Sequence, residues 1–211
     1  CTETIVRQVE EIGRMVDEFS AFARMPQATL KEENLSEICR QSLSLERHRH
    51  PEIDYQLETP ESPVHLRCDS RQIGQALTNL LKNAAESVSA SIKAQEGAPK
   101  KGKIRCRVID DSVKSEQGSL AIIIDDNGLG LPDSDRERLT EPYVTSRDGG
   151  TGLGLAIVKK IMEDHGGEIL LADNDGGGAM ITLLFHPSEE NDDESGVDPL
   201  KLATGILNHV S

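Results

Sequence analysis

Along the first 24 residues, Ile5, Val9, Ile12, Val16, Phe19 and Ala23 recur at alternating steps of four and three, which places them on one seam of a helix. Arg7, Glu10, Glu11, Arg14, Asp17 and Glu18 fill the other faces, and Pro26 stops the run. A single helix of this length is marginal in water. The seam therefore needs a partner: a helix from another segment, another copy of the chain, or the domain that follows.

Residues 27–33 read as a polar connector. Asn34 with Glu37 three positions later is a capping box, opening a helix to about residue 48. Strand-like runs at 53–57 and 64–67, separated by a turn with Pro60 and Pro63, predict a hairpin. Asp69 or Ser70 caps a long helix reaching about residue 92, whose apolar face is Ile73, Leu77, Leu80, Leu81, Ala84 and Val88. After a charged loop at 97–102, strands at 103–109 and 119–125 are predicted, the second apolar enough to be central in a sheet. Residues 127–151 form a glycine-rich irregular stretch, of a length that in compact domains belongs to lids and binding loops.

A helix at 152–165 is ended by Gly166 and Gly167, and strands at 168–172 and 179–185 complete the sheet. The order predicts an α+β fold: a two-layer sandwich of a mixed, mostly antiparallel sheet with helices on one face, preceded by one coiled-coil-type helix. Five of the six residues 189–194 are acidic, so the tail is expected to lack fixed structure to about residue 198, with a short helix conceivable at 199–208. Three parts result: 1–26, 27–187 and 188–211.

Charge narrows the function. With 23 Lys and Arg against 37 Asp and Glu the net charge is -14, which argues against a nucleic-acid partner. Three Phe, two Tyr and no Trp leave few base-stacking surfaces. The longest apolar runs are far too short to cross a bilayer, so no membrane contact is expected of this chain. Cys1, Cys39, Cys68 and Cys106 lack the paired spacing of zinc sites and read as reduced, mostly buried thiols. The six histidines show no ligand spacing either. Opening at Cys1 inside a helical pattern, the chain reads as a piece of something longer.

Candidate chemistry lies in four segments that occur in one order: Asn79-Leu-Leu-Lys82-Asn83-Ala, Asp126-Asn-Gly128-Leu-Gly130, Glu141-Pro-Tyr143-Val-Thr145-Ser-Arg147, and Gly150-Thr151-Gly152-Leu153-Gly154-Leu155. Asn79 and Asn83, four apart, share one helix face. Their amide oxygens are neutral hard donors of the kind that suits Mg²⁺ shared with phosphates. Asp126 ends an apolar strand, where a buried carboxylate could accept hydrogen bonds, one of them through water, from an adenine amino group. Gly128 and Gly130 remove side chains where such a ring would enter and allow unusual backbone angles. The N–H groups of 151–155 lie at the start of an apolar helix, able to face an anion. Neither a Walker loop nor a Rossmann turn fits, because no Gly-Lys-Ser/Thr follows and no strand leads directly in.

The ordered set resembles the N, G1, F and G2 boxes of the ATP-binding domain of sensor histidine kinases, in the superfamily that includes gyrase, Hsp90 and MutL, over about residues 34–186. The segment IGRMVDEFSAFARMP, with NLLKNAAES downstream, looks most like nitrogen-regulation kinases of the NtrY type. The resemblance implies ATP and Mg²⁺ as cofactors, with Asn83 as the Mg²⁺ ligand. Asn79, Asn83 and Arg147 then take catalytic roles, Arg147 against the γ-phosphate. Asp126, Gly128 and Gly130 would hold the base; Gly150, Thr151, Gly152, Leu153, Gly154 and Leu155 the phosphates. In the lid, Tyr143 would anchor by packing beside Thr145. Lys82 either leans toward phosphate or is solvated.

None of the histidines has the surroundings of the family's phosphoacceptor. Residues 1–24 look like the second helix of the dimerisation and phosphotransfer hairpin. The family reading thus implies transfer of the γ-phosphate to a histidine on a helix missing from this chain, relay to an Asp of a response-regulator receiver domain, a homodimer in the full-length protein, and a cytoplasmic location in a membrane-anchored sensor. Three positions depart from wider patterns. Glu86 stands where many sensor kinases are basic, Gly178-Ala179 where Gly-Thr is frequent, and Asn79 where ATP-hydrolysing relatives have Glu. A nucleotide-free dimerisation scaffold and a true ATPase are the rival readings.

Overall fold

Asn34 closes one element and opens the next. It is the last residue of strand β1 (Lys31–Asn34), and its side-chain oxygen accepts from the amides of Ser36 (3.0 Å) and Glu37 (3.4 Å), capping helix α1 (Leu35–Arg49). The computed structural model describes residues 6, 9, 12, 13, 15, 16, 19, 20, 23–94, 101–111, 119–132, 136–145 and 150–186. After α1 come β2 (Ile53–Glu58), β3 (His65–Cys68), α2 (Ser70–Ala94), β4 (Gly102–Asp110), β5 (Leu120–Asp126), a 3-10 turn (Arg136–Arg138), α3 (Gly154–Asp164), β6 (Gly167–Asp173) and β7 (Ala179–Phe185).

Five strands form a mixed sheet in the order β2-β4-β5-β7-β6, in which β2 and β4 are parallel and the other neighbours antiparallel. The predicted α+β sandwich is therefore observed, but the predicted hairpin is not. β3 pairs antiparallel with β1, Lys31 opposite Cys68, while β2 joins the main sheet beside β4. Parallel neighbours need a long crossover, and β3 with α2 supplies it. Residues 31–34, Lys-Glu-Glu-Asn, carry no apolar alternation because their strand belongs to an exposed two-stranded ribbon; hydropathy could not separate them from a connector.

All three helices pack on one sheet face. There Ile73, Leu77, Leu80, Leu81 and Val88 of α2 meet Ile104, Cys106, Ile122, Ile124 and Leu183 in one continuous core. Burying each such Leu or Ile stabilises by roughly 1.5–3 kcal/mol. The expectation for the thiols holds where it can be seen: Cys39, Cys68 and Cys106 are free and buried. Burial pushes the Cys68 thiol up to about 12, helped by the charges of Glu33 and Asp69.

Two caps tie the helices of the site together. Asp69 Oδ1 accepts from the amides of Arg71 (3.1 Å) and Gln72 (3.2 Å), while its own amide donates to His165 Nε2 at 3.0 Å. His165 caps the end of α3, and its Nδ1 donates to the Ile161 carbonyl at 2.7 Å. The start of α2 is thus fastened to the end of α3.

Before β1, the described positions up to Ala23 are helical, and Val9, Ile12, Val16 and Phe19 are all about half exposed or more, up to 62% at Val9. Among the described residues no helix is long and apolar enough to cross a membrane. The predicted acidic tail, 188–211, lies outside the described residues.

Candidate functional site

The amphipathic pitch of α2 sends Leu80, Leu81 and Ala84 into the core and leaves Asn79 and Asn83 half-buried on the flank that meets α3. Asn79 Nδ2 lies 3.5 Å from the Gly154 carbonyl, and a methyl group built on Gly154 would stand 3.7 Å from Asn83 Nδ2. The two amides therefore converge on the first residue of α3. Lys82 points the other way and is exposed, as is Glu86.

Helix α3 begins at Gly154, two residues later than the sequence predicted. Its N-cap is Leu153, which has no polar side chain to satisfy the first-turn amides. Leu153 is 1% exposed and belongs to the core, so its burial fixes the start of the helix where a polar cap would ordinarily do so. Thr151 Oγ1 accepts from the Leu153 amide at 3.3 Å. Gly150, Thr151, Gly152 and Leu155 are half-buried around this start.

On the sheet side, Asp126 ends β5 with 6% exposure. Its Oδ1 accepts from the Gly128 amide at 2.7 Å and from the Ala179 amide at 3.4 Å, and its carbonyl accepts from Asn174 Nδ2 at 2.9 Å. The main chain of Ala179 thus reaches the Asp126 carboxylate. Gly178, at φ +97°, presses on the same carbonyl: a Cβ there would lie 2.0 Å from the Asp126 oxygen. Asn127 pins the next step, accepting from the Lys103 amide at 2.8 Å and donating to the Lys101 carbonyl at 3.0 Å.

The two glycines of this loop have different reasons. Gly130 is at φ +85°, which favours glycine. Gly128 has no such angle; a Cβ on it would meet Ser87 Oγ at 2.3 Å and the Ser87 carbonyl carbon at 2.6 Å. Its smallness lets the loop lie on α2. Ser87 Oγ also accepts from the Leu129 amide at 3.0 Å. Ser87 and Asn174 did not stand out in the sequence. The available signal for Ser87 is its spacing, since 79, 83 and 87 follow the i, i+4, i+8 rule of one helix face.

The lid corrects one expectation. Tyr143 does not anchor by packing its ring, which is 64% exposed. Its amide donates to the Gly152 carbonyl at 3.1 Å, and it holds φ 66°. Thr145 is exposed nearby, and Arg147 lies outside the described residues. A cavity of about 440 Å³ between the 3-10 turn, α3 and β6, lined by Thr140, Lys159, Met162 and Ile169, contains none of the predicted site residues. Among the described residues no cluster of three or more His, Cys, Asp or Glu could hold a metal.

The site thus consists of an Asn-bearing helix, a buried Asp at a strand end and a glycine loop opening a second helix. Comparison with known proteins places this region in a family. Residues 68–189 match the family described as histidine kinase-, DNA gyrase B-, and HSP90-like ATPase. The nitrogen regulation protein NtrY of Azorhizobium caulinodans is 51% identical over 186 residues, 88% of this chain. The chain spans about a quarter of that relative, 23% of its length. A mycobacterial sensor histidine kinase, MprB, superposes with TM-score 0.60 at 27% identity over 75% of this chain and 97% of its own. The fold recurs, at 21% identity and TM-score 0.68, in the histidine kinase ThkA solved in complex with the response regulator TrrA, over 90% of this chain and 51% of that one. The chain accordingly belongs to the histidine kinase-, DNA gyrase B- and HSP90-like ATPase family, and over most of its length it is similar to NtrY.

Proposed function

We propose that this chain binds ATP with Mg²⁺ and presents the γ-phosphate to a histidine on a helix outside it, the phosphoryl group passing on to an Asp of a response-regulator receiver domain. The observation that carries the reading is the convergence of Asn79 and Asn83 on the uncapped start of α3. Phosphoryl transfer demands positioning and charge neutralisation more than covalent help from the protein. In this reading Asn83 offers an amide oxygen to the cation, and the amides around Thr151, Leu153 and Leu155 face the phosphates. Asp126 selects the base, Gly128 and Gly130 shape its floor, and Arg147 and Thr145 serve the γ-phosphate from the lid. Mg²⁺, when bound, would neutralise phosphate oxygens.

Asn79 in place of the carboxylate of hydrolysing relatives favours transfer over hydrolysis, since an amide cannot take a proton from water. The exposed stripe of Val9, Ile12, Val16 and Phe19 supports reading 1–26 as one helix of a dimerisation hairpin, with 27–187 as the catalytic domain. A homodimer of the full-length protein, a receiver domain docking beside that helix, and a cytoplasmic site of action complete the proposal.

Calorimetric titration with a non-hydrolysable ATP analogue tests it. Micromolar to sub-millimolar binding that strengthens with Mg²⁺ and is weaker for the GTP analogue is expected. No binding would put the dimerisation scaffold first.

A further inference from the structure

The two edges of β5 end differently. On the β4 side the ladder runs through Asp126, opposite Ile104, and carries on into the Asn127 amide, which donates to the Lys103 carbonyl at 3.2 Å. On the β7 side it stops one residue earlier, at Asp125 opposite Met180. A trans peptide points its carbonyl and its amide in opposite directions, so the Asp126 carbonyl faces the edge where the ladder has stopped. The Ala179 amide, next in line there, is turned to the Asp126 carboxylate instead.

A side chain from the turn between β6 and β7 supplies the donor. Asn174 Nδ2 reaches the Asp126 carbonyl at 2.9 Å. The turn itself closes through main chain alone: the Asn174 amide donates to the Gly178 carbonyl at 3.0 Å, and the Gly177 amide to the Asn174 carbonyl at 2.8 Å. Residues 175–177 are exposed, whereas Asn174 is half-buried and Gly178 buried. A Cβ on Gly130 would lie 3.4 Å from the Gly178 carbonyl oxygen, so this turn touches both ends of the 126–130 loop.

The consequence falls on the Asp126 carboxylate, whose Oδ1 is held by the Gly128 and Ala179 amides. Carbonyl and side chain leave the same Cα, so holding the one fixes the line along which the other leaves the strand. An ionised carboxylate only accepts hydrogen bonds. It suits the amino edge of adenine and opposes the carbonyl edge of guanine, and the opposition lasts only while the carboxylate is kept from swinging aside.

We infer that Asn174 is a positioning residue for base selection, acting through the Asp126 carbonyl to keep the carboxylate aimed at an adenine amino group. The inference rests on the reading of Asp126 as the group that selects the base.

Calorimetric titration of the whole 211-residue chain with non-hydrolysable ATP and GTP analogues, both with Mg²⁺, gives one ratio of affinities for each variant. Asn174→Ala should lower the preference for the adenine nucleotide at least about fivefold. Asn174→Gln, which keeps an amide donor on a longer stem, should restore part of it. Asp175→Ala, exposed in the same turn, should leave the ratio unchanged. In an Asp126→Asn background Asn174→Ala should no longer alter the ratio, because its effect passes through that carboxylate. A side chain that served only stability would weaken both affinities alike. An intact ratio in Asn174→Ala would therefore overturn the inference and leave base selection by Asp126 standing. Equal binding of the two analogues by the unsubstituted chain would overturn that reading, and this inference with it.

Discussion

Tyr143 and Gly152 hold the two ends of the lid together through main chain alone: both are in the left-handed region, at φ 66° and 68°, joined by one hydrogen bond of 3.1 Å. A Cβ at 152 would stand 2.6 Å from the Tyr143 carbonyl carbon and 2.8 Å from its Cα. Backbone at that distance has no rotamer with which to yield.

Gly152→Ala therefore strains the left-handed angle, at about 1–2 kcal/mol, and drives the two loop ends apart. We expect affinity for the ATP analogue to fall at least about tenfold, the equivalent of 1.4 kcal/mol, with circular dichroism unchanged because the core at Leu153 remains. Tyr143→Ala should be much milder, since the exposed ring contributes no packing. Calorimetry of the two variants side by side checks this; a tyrosine variant as weak as the glycine one would return the anchoring role to the ring.

At the other edge of the site, Gly128→Ala would insert a methyl 2.3 Å from Ser87 Oγ and 2.6 Å from the Ser87 carbonyl carbon. Overpacking of this kind destabilises by roughly 1–3 kcal/mol. Ser87→Ala alone loses the bond to the Leu129 amide, about 1 kcal/mol. Removing the hydroxyl clears one of the three contacts and leaves the two backbone ones, to the Ser87 carbonyl carbon and to the Val88 nitrogen at 2.7 Å, so the double variant should recover only a part of the glycine effect. Chemical denaturation of the four proteins forms the cycle. Full recovery would show that the helix backbone can give way.

Residues whose spacing is fixed by one helix were legible in the sequence: Asn79 and Asn83 stand on the flank their separation implied, and Leu153 and Gly154 open α3 within two residues of the predicted start. Relationships made across the fold were not. Nothing local distinguishes a strand at 53–58 that pairs parallel with 102–107 from one that turns back on 65–68, because both readings need only an apolar run and a proline turn. Polar β1 is invisible to hydropathy for the reason that makes it stable, its pairing through backbone. Gly128 was recognisable as necessary, but the Ser87 it lies against is 41 residues away in the chain, so its reason could come only from the structure.

Asp69 gives the fold a dependence on pH. Burial on its own would raise its carboxyl, but the amides of Thr29, Gln72 and Arg71, together with the Arg71 charge, outweigh that and hold it below its ordinary value of 3.8. A depressed folded-state value contributes stability that is present above the unfolded value and is lost as pH falls through the folded one. Asp69→Ala should thus be destabilised by roughly 1–2 kcal/mol at neutral pH, as for other helix N-caps. The gap to the unsubstituted protein should narrow from about pH 4 downward. Melting temperatures between neutral pH and pH 3 check the sign, and a gap that widens with acid would contradict it.

Asn79 and Asn83 look alike in the sequence and differ in what they touch, so their alanine variants should separate. Asn79 Nδ2 faces the Gly154 carbonyl at 3.5 Å, a contact long enough to contribute little. Asn83 lies against the same glycine with its oxygen 4.0 Å from where a Cβ would be, beside the amides that face phosphate in the proposed complex. If the Asn83 oxygen is the cation ligand, Asn83→Ala loses the Mg²⁺-dependent part of nucleotide binding and retains whatever binding occurs without the metal. Asn79→Ala should change both by a similar and small factor, because it removes only a weak contact between α2 and α3 and not the ligand. Titrations of each variant with the ATP analogue, with Mg²⁺ and with a chelator, give four affinities. A Mg²⁺ enhancement in Asn83→Ala equal to that of the unsubstituted chain would remove Asn83 from the metal site, and its loss in Asn79→Ala instead would transfer the role one turn back along the helix.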